Sequence, residues 1–180
     1  MKRRVQIMLL GEDLQHLTFA RRFLVACGWR SDQIRDARLP SGKGAGDQWV
    51  KQNYAREVRA LRAARHVSKG LIVIVDADSS TVTGRKKQLS EELSQAGVAD
   101  RTPTECIVIA VPRRNIETWI HYLDGKTVDE SSAYQKLSRA SACGGAVSSL
   151  KQMCDDGSLR EPFPPSLGDA CDEFVTRLKK

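Results

Sequence analysis

The stretch that most constrains the fold of this chain is Gly70 to Ser80, GLIVIVDADSS. Leu71 to Val75 is an unbroken run of β-branched and aliphatic residues. It is too short for a globular helix and apolar on both faces, the pattern of a central strand in a parallel sheet. Two acids follow it. Asp76 and Asp78 are two residues apart, so an extended backbone projects both carboxylates to the same side. Open α/β sheets place their ligands at the carboxyl ends of parallel strands, and there a carboxylate pair makes a natural site for Mg2+ or Mn2+. The competing reading makes Asp76 the cap of the following helix and Asp78 a turn residue.

The same geometry recurs elsewhere. Val5 to Leu10 reads as a first strand that stops at Gly11-Glu12-Asp13, and Leu14, Leu17, Ala20, Leu24 and Cys27 then recur at helical spacing until Gly28. Ile34 to Leu39 alternates apolar with charged residues, which suits a half-exposed edge strand. The loop PSGKGAGD, Pro40 to Asp47, offers glycines and Lys43 to a phosphate, but it lacks the Walker spacing; it is a connector, a lid or a nucleic-acid contact. From Asp47 onward Val50, Tyr54, Val58 and Leu61 form a buried helical stripe, while Arg56, Arg59, Arg62 and Arg65 line another side at threes. That row is either a solvated face or a phosphate track.

After the DADSS strand, Thr81 to Arg85 reads as a polar loop and Leu89, Leu93 and Ala96 as a helix ending at Gly97. Glu105 to Val111 is another strand apolar on both faces, closed by Pro112. In RRNIETWIHYL, Arg113 and Arg114 are further candidates for phosphate contact. Asn115 is an N-cap, Ile116, Trp119, Ile120 and Leu123 give an apolar face, and Glu117 lies one turn before His121, which is placed to orient it. Glu117 is thus a third acid after a third strand end, or simply a carboxylate favoured at a helix N-terminus. Beyond Gly125, Tyr134 to Leu137, Ala146 to Met153 and Leu167 to Leu178 read as helical, and Cys143-Gly144-Gly145 and Pro162 to Pro165 as breaks.

These elements predict an α/β protein with a mainly parallel four-stranded sheet, helices on both faces, and a C-terminal helical appendage. We place the α/β domain at 1–125 and the appendage at 126–180. Glu12, Asp76, Asp78 and Glu117 are expected to converge at the carboxyl edge of the sheet. With 180 residues the chain can bury a proper core without disulfides, and its five cysteines show no C-x-x-C pair. No run of residues is long and apolar enough to span a membrane and no signal peptide is evident, so a cytoplasmic protein is expected. A formal charge of +7 favours an anionic partner, nucleic acid first.

The order strand, Glu12, helix, strand, helix, strand, Asp76-x-Asp78, helix, strand, acidic helix resembles the Toprim domain of topoisomerases, primases and nucleases of the overcoming-lysogenisation-defect type. In that family a Glu follows the first strand and a D-x-D a later one. Here these are Glu12 in LLGED and Asp76 and Asp78 in IVDADSS. The segment AVPRRNIETWIHYL is similar to a Glu-containing segment of small stand-alone Toprim-like proteins, some linked to defence against phages, which makes Glu117 the matching acid. The resemblance covers Val5 to Leu123. Where the family often has Gly and a small polar residue after its first acid, this chain has Asp13-Leu14. DADSS is also similar to the D-x-D-x-[ST] of haloacid dehalogenase-like phosphatases, with Asp76 as nucleophile, but that family places the motif after its first strand.

The resemblance implies Mg2+- or Mn2+-dependent cleavage of DNA or RNA, with Glu12, Asp76, Asp78 and Glu117 as catalytic and metal-binding residues. Lys43, Arg113 and Arg114 would neutralise the developing charge. A fourth carboxylate, Glu117, would help to hold a second ion. Two rivals stand beside this reading. One is a catalytically silent module that binds nucleic acid or a partner. The other is a subunit active only with an ATPase, since such pairing is frequent in the family and this chain has no nucleotide-binding motif.

Overall fold

A computed structural model of the chain describes residues 6–37, 39, 46–64 and 69–178. Its centre is a four-stranded, wholly parallel sheet in the order β2-β1-β3-β4. The chain runs β1 (Gln6–Gly11), α1 (Leu14–Ala26), β2 (Ile34–Asp36), α2 (Gly46–Ala63), β3 (Lys69–Ile74), α3 (Val82–Gln95), β4 (Ile107–Ala110), α4 (Ile116–Leu123), α5 (Gly144–Asp156) and α6 (Pro165–Arg177). The expected α/β class is therefore present.

The period of two along each strand explains the layers. Ile7, Leu9, Ile72 and Val108 pack with Leu17, Ala20 and Leu24 of α1 and Phe174 of α6. Leu10, Leu71, Val73, Ile107 and Ile109 pack the other way, with Val50, Tyr54 and Val58 of α2 and Leu89 and Leu93 of α3. Both faces are covered, so strands apolar on both sides are stable only here. The chain leaves β1 for β2 at one side and returns to β3 at the other, so the winding reverses between β1 and β3. The crevice beyond the carboxyl ends of those two strands is where open sheets bind ligands.

Several local expectations are corrected. Helix α3 starts at Val82, not after a Thr81 to Arg85 loop, because Thr81 is its N-cap, Oγ1 accepting the Gly84 N–H at 2.9 Å. The first turn carries little apolar signal, so periodicity missed it. Tyr134 to Leu137 is not helical; four residues are too few to repay helix nucleation, and the Tyr134 carbonyl instead takes the Asn115 amide at 3.1 Å. Gly144-Gly145 does not break the chain but opens α5 behind a 3-10 turn at Ala140–Cys143. A side chain at Gly144 would press on the guanidinium of Arg22, at 3.3 Å from its Cβ position.

The C-terminal segment is packed on the sheet. Leu150 of α5 and Leu167 and Ala170 of α6 share one cluster with Phe19, Ile74, Ala110 and Trp119, and the Phe174 ring meets that of Phe23 edge-on at 5.1 Å. No helix among the described residues is long and apolar enough to cross a membrane.

Candidate active site

Register fixes which acids meet. Gly11 pairs with Ile74, so Glu12 and Asp76 leave adjacent strands within a residue of one another. Oε1 of Glu12 accepts the backbone N–H of Asp76 at 2.7 Å, a bond between residues 64 apart in sequence. Glu12 and Asp76 are buried, and so is Glu117 on the first turn of α4, only 2 % exposed. Glu12 and Asp76 thus meet at the switch point, and Glu117, which follows the neighbouring strand β4, is near enough to feel the charge of Asp76.

Asp13 is the N-cap of α1, accepting the His16 N–H at 3.1 Å. One turn of helix then returns His16 to the acids. Its ring, 1 % exposed, sits between Oδ1 of Asp13 (Nδ1 at 2.8 Å) and Oδ1 of Asp76 (Nε2 at 2.9 Å). Gly11 makes this possible: a Cβ there would stand 3.0 Å from the His16 Cβ and 3.2 Å from both Ile74 and Leu17. A side chain there would require these neighbours, His16 among them, to give way by a few tenths of an ångström.

The electrostatics follow from burial and from these bonds. Burial opposes charge on His16, but the Asp76 charge and the bonds to Asp13 and Asp76 outweigh it and hold its pKa well above the usual imidazole value. Asp13 is half-buried, yet its bonds to His16 hold its carboxyl far below the ordinary range. Glu12 behaves oppositely: burial, helped by the charges of Asp76 and Asp78, pushes it up to about 7 against the pull of His16. Burial also raises Glu117, with Asp76 adding to the shift. Among the described residues the Glu117 carboxylate has no hydrogen-bond partner beyond its own backbone amide. Acids whose proton affinity rises in a crevice are candidates for function rather than for structure.

Asp78 is placed differently from the expectation. The ladder continues past β3, with the Ala77 N–H bonding the Pro112 carbonyl at 2.8 Å, but Asp78 then turns into the left-handed region at φ 52°. The extended backbone that would put both aspartates on one side ends there, so Asp76 is buried and Asp78 exposed. Arg113 braces this turn, donating to the carbonyls of Asp78 at 3.2 Å and Ser80 at 2.7 Å; Arg114 reaches the Asp78 carbonyl at 3.5 Å. His121 does not orient Glu117. Its ring lies against Tyr134 at 4.9 Å, and the histidine that reaches the acids is His16. Asn115 sits at the N-cap position without a capping side-chain bond.

The arginine row of α2 lies elsewhere. Arg62 grips Glu105 through bonds of 2.7 and 2.9 Å, and Arg59 donates to the Ala96 carbonyl at the end of α3. Glu105 precedes β4 whereas Asp76 follows β3, so in a parallel sheet this contact is at the edge opposite the acids. Arg56 is exposed and bonded to Glu57 at 2.9 Å. Lys43 and Arg65 lie outside the described residues. Sequence reasoning missed His16, although D-x-x-H at a helix start, with His16 beside the buried stripe of Leu17 and Ala20, was the available signal.

Among the described residues no three His, Cys, Asp or Glu side chains stand as a ready-made metal cage. The donor chemistry nonetheless suits a hard cation: carboxylate oxygens, with burial raising the proton affinity of Glu12 and Glu117. Mg2+ commonly takes one or two carboxylates and completes its shell with water and substrate phosphate. No family model, curated protein or solved structure matches the chain significantly.

Proposed function

We propose that this protein is a Mg2+- or Mn2+-dependent phosphodiesterase acting on nucleic acid, with a Toprim-like site. The observation that carries the reading is that Glu12, Asp76 and Glu117, which follow three neighbouring parallel strands, are all buried, that Asp76 acts electrostatically on both glutamates, and that the imidazolium of His16 is bonded to Asp76. Like charges that crowd without partners cost stability and are kept where they hold a cation or handle a proton.

Asp76 and Glu117 would hold the ion, with Asp78 at the solvent side. Bound there, a divalent cation polarises the phosphoryl oxygens and stabilises the charge that develops on them. His16 holds Asp76 through Oδ1 and leaves Oδ2 for a ligand. Oε1 of Glu12 is bound to the Asp76 amide, so Oε2 is the atom left to take a proton from the attacking water. A carboxyl pushed up to about 7 is suited to that transfer at neutral pH. Arg113 fixes the turn that carries Asp78.

Defence against phages and work with an ATPase partner are extensions of this proposal carried by the Toprim resemblance alone. One observation favours the silent-module rival: the imidazolium of His16 already neutralises part of the cluster. The two readings separate by experiment. In the nuclease reading, Mg2+ or Mn2+ raises the melting temperature of the wild type, and Glu117→Gln abolishes cleavage of a DNA or RNA strand while keeping the fold. A wild type whose stability ignores both cations and which cleaves neither strand supports the silent module.

A further inference from the structure

A phosphodiester brought to buried carboxylates needs a cation that faces it, because two anions otherwise repel in a medium that screens poorly. Among the described residues the candidates that sequence supplied are differently engaged. Arg59 and Arg62 serve the opposite edge of the sheet, and Arg113 and Arg114 donate to backbone carbonyls.

Another cation arrives from the C-terminal segment. After α4 the chain crosses the first turns of the two helices that carry the acids. Asn115 Nδ2 bonds the Tyr134 carbonyl at 3.1 Å, the Tyr134 ring lies on His121 at 4.9 Å, and Gln15 Nε2 bonds the Ala140 carbonyl at 3.3 Å. Between these anchors Lys136 extends its side chain, 78 % exposed, to 3.6 Å from Oδ2 of Asp13. Its charge also reaches Glu117, the buried carboxylate without a side-chain partner. An exposed pair of this kind contributes little to stability, so it does not lock the ammonium in place. A flexible stem and three rotatable donors allow Lys136 to exchange Asp13 for a phosphate oxygen without moving the backbone.

We infer that Lys136 is the phosphate contact of this site, supplied by the C-terminal segment across the acid crevice to the nucleic-acid backbone. The inference rests on the phosphodiester reading for its purpose, but its test does not require cleavage. Binding of a short fluorescein-labelled single strand is followed by anisotropy in chelator across a salt series, for wild type, Lys136→Gln and Lys136→Arg. Lys136→Gln is expected to lower the slope of log affinity against log salt by about 0.7, the value of one single-strand phosphate contact. Lys136→Arg restores the slope, and melting temperatures stay equal. An unchanged slope in Lys136→Gln, or a wild type that binds no strand at any salt, overturns the inference. Cleavage in Mg2+, measured separately, tells the two readings apart. An inert wild type with a Lys136-dependent slope removes the nuclease and leaves the contact; an active wild type with a slope indifferent to Lys136 removes the contact alone.

Discussion

At the amino edge of the sheet Arg62 holds Glu105 and the carbonyls of Ala99 and Asp100, and beside β4 Arg101 meets Glu173 through bonds of 2.5 and 2.7 Å while Arg177 joins it at 3.1 Å. At the carboxyl edge Glu12, Asp76 and Glu117 share the imidazolium of His16. The proton affinities record the contrast. The bond to Arg62 holds Glu105 below the usual carboxylate range; Glu173 is half-buried, yet Arg101, Lys86 and Arg177 hold it low as well. Glu12 and Glu117 move the other way. Both regions are rich in charge, but in the first each glutamate has a guanidinium partner, whereas in the second His16 pairs with Asp13 and Asp76 and no ion pair is made by Glu12 or Glu117 among the described residues; that makes the first a structural clasp. Glu173 also accepts the outward N–H of Ile109 at 3.4 Å, and Arg101 bonds the outward carbonyl of Ile107 at 2.8 Å, so the clasp covers an edge strand that would otherwise be open to pairing.

The contrast can be tested by exchanging which property each edge loses. The largest effect is expected from Glu12→Gln, which keeps the acceptor for the Asp76 amide but cannot take a proton; kcat of metal-dependent cleavage should fall by about 10^2 to 10^4. Arg62→Gln, at the other edge, should leave kcat at the wild-type value. Equal losses in the two variants would erase the distinction between the edges.

Next in size is the clasp. Arg101→Ala leaves Glu173 half-buried with its main partner gone, and should cost about 3 kcal/mol in urea denaturation. A loss within experimental error would mean that Lys86 and Arg177 suffice to hold Glu173.

The smallest effect is a pH-dependent gain. Folding raises the Glu12 carboxyl from 4.5 to about 7, so the folded state keeps a proton that the unfolded chain sheds between those values. Stability is therefore lost as pH rises through that window, and Glu12→Gln, which has no such proton, avoids the loss. In chelator the variant should be more stable than wild type by about 2 kcal/mol at pH 8 and equal to it at pH 4. Added Mg2+ should narrow the gap at pH 8 by stabilising the wild type. A gain independent of pH would show that the carboxyl is not the source.

Much of this molecule was legible because it follows from short-range pattern. The run Leu71 to Val75 is apolar on both faces, which only a covered parallel strand tolerates, and Ile107 to Ala110 repeats it. A parallel sheet sends every strand's carboxyl end to one edge, so Glu12, Asp76 and Glu117 were bound to approach one another before any contact was known. The alternation in Ile34 to Leu39 likewise marked β2 as an edge strand.

What the tertiary structure alone decided depends on partners distant in the chain. Asp78 looks equivalent to Asp76 in DADSS, but the ladder ends with the bond from Ala77 to Pro112 and Asp78 then turns into the left-handed region, where Arg113 braces its carbonyl. The row Arg56, Arg59, Arg62 reads as free charge until Glu105 and the end of α3 are folded against it. His16 lies 60 residues from Asp76, and Gln15, whose bond helps to bring Lys136 over the crevice, lies 125 residues from Ala140. Periodicity reports which face of an element is buried, not which charge will stand opposite another. Since burial raises or lowers a group's proton affinity according to that opposite charge, the division of this sheet into a clasped edge and a reactive one is settled only when the chain is packed.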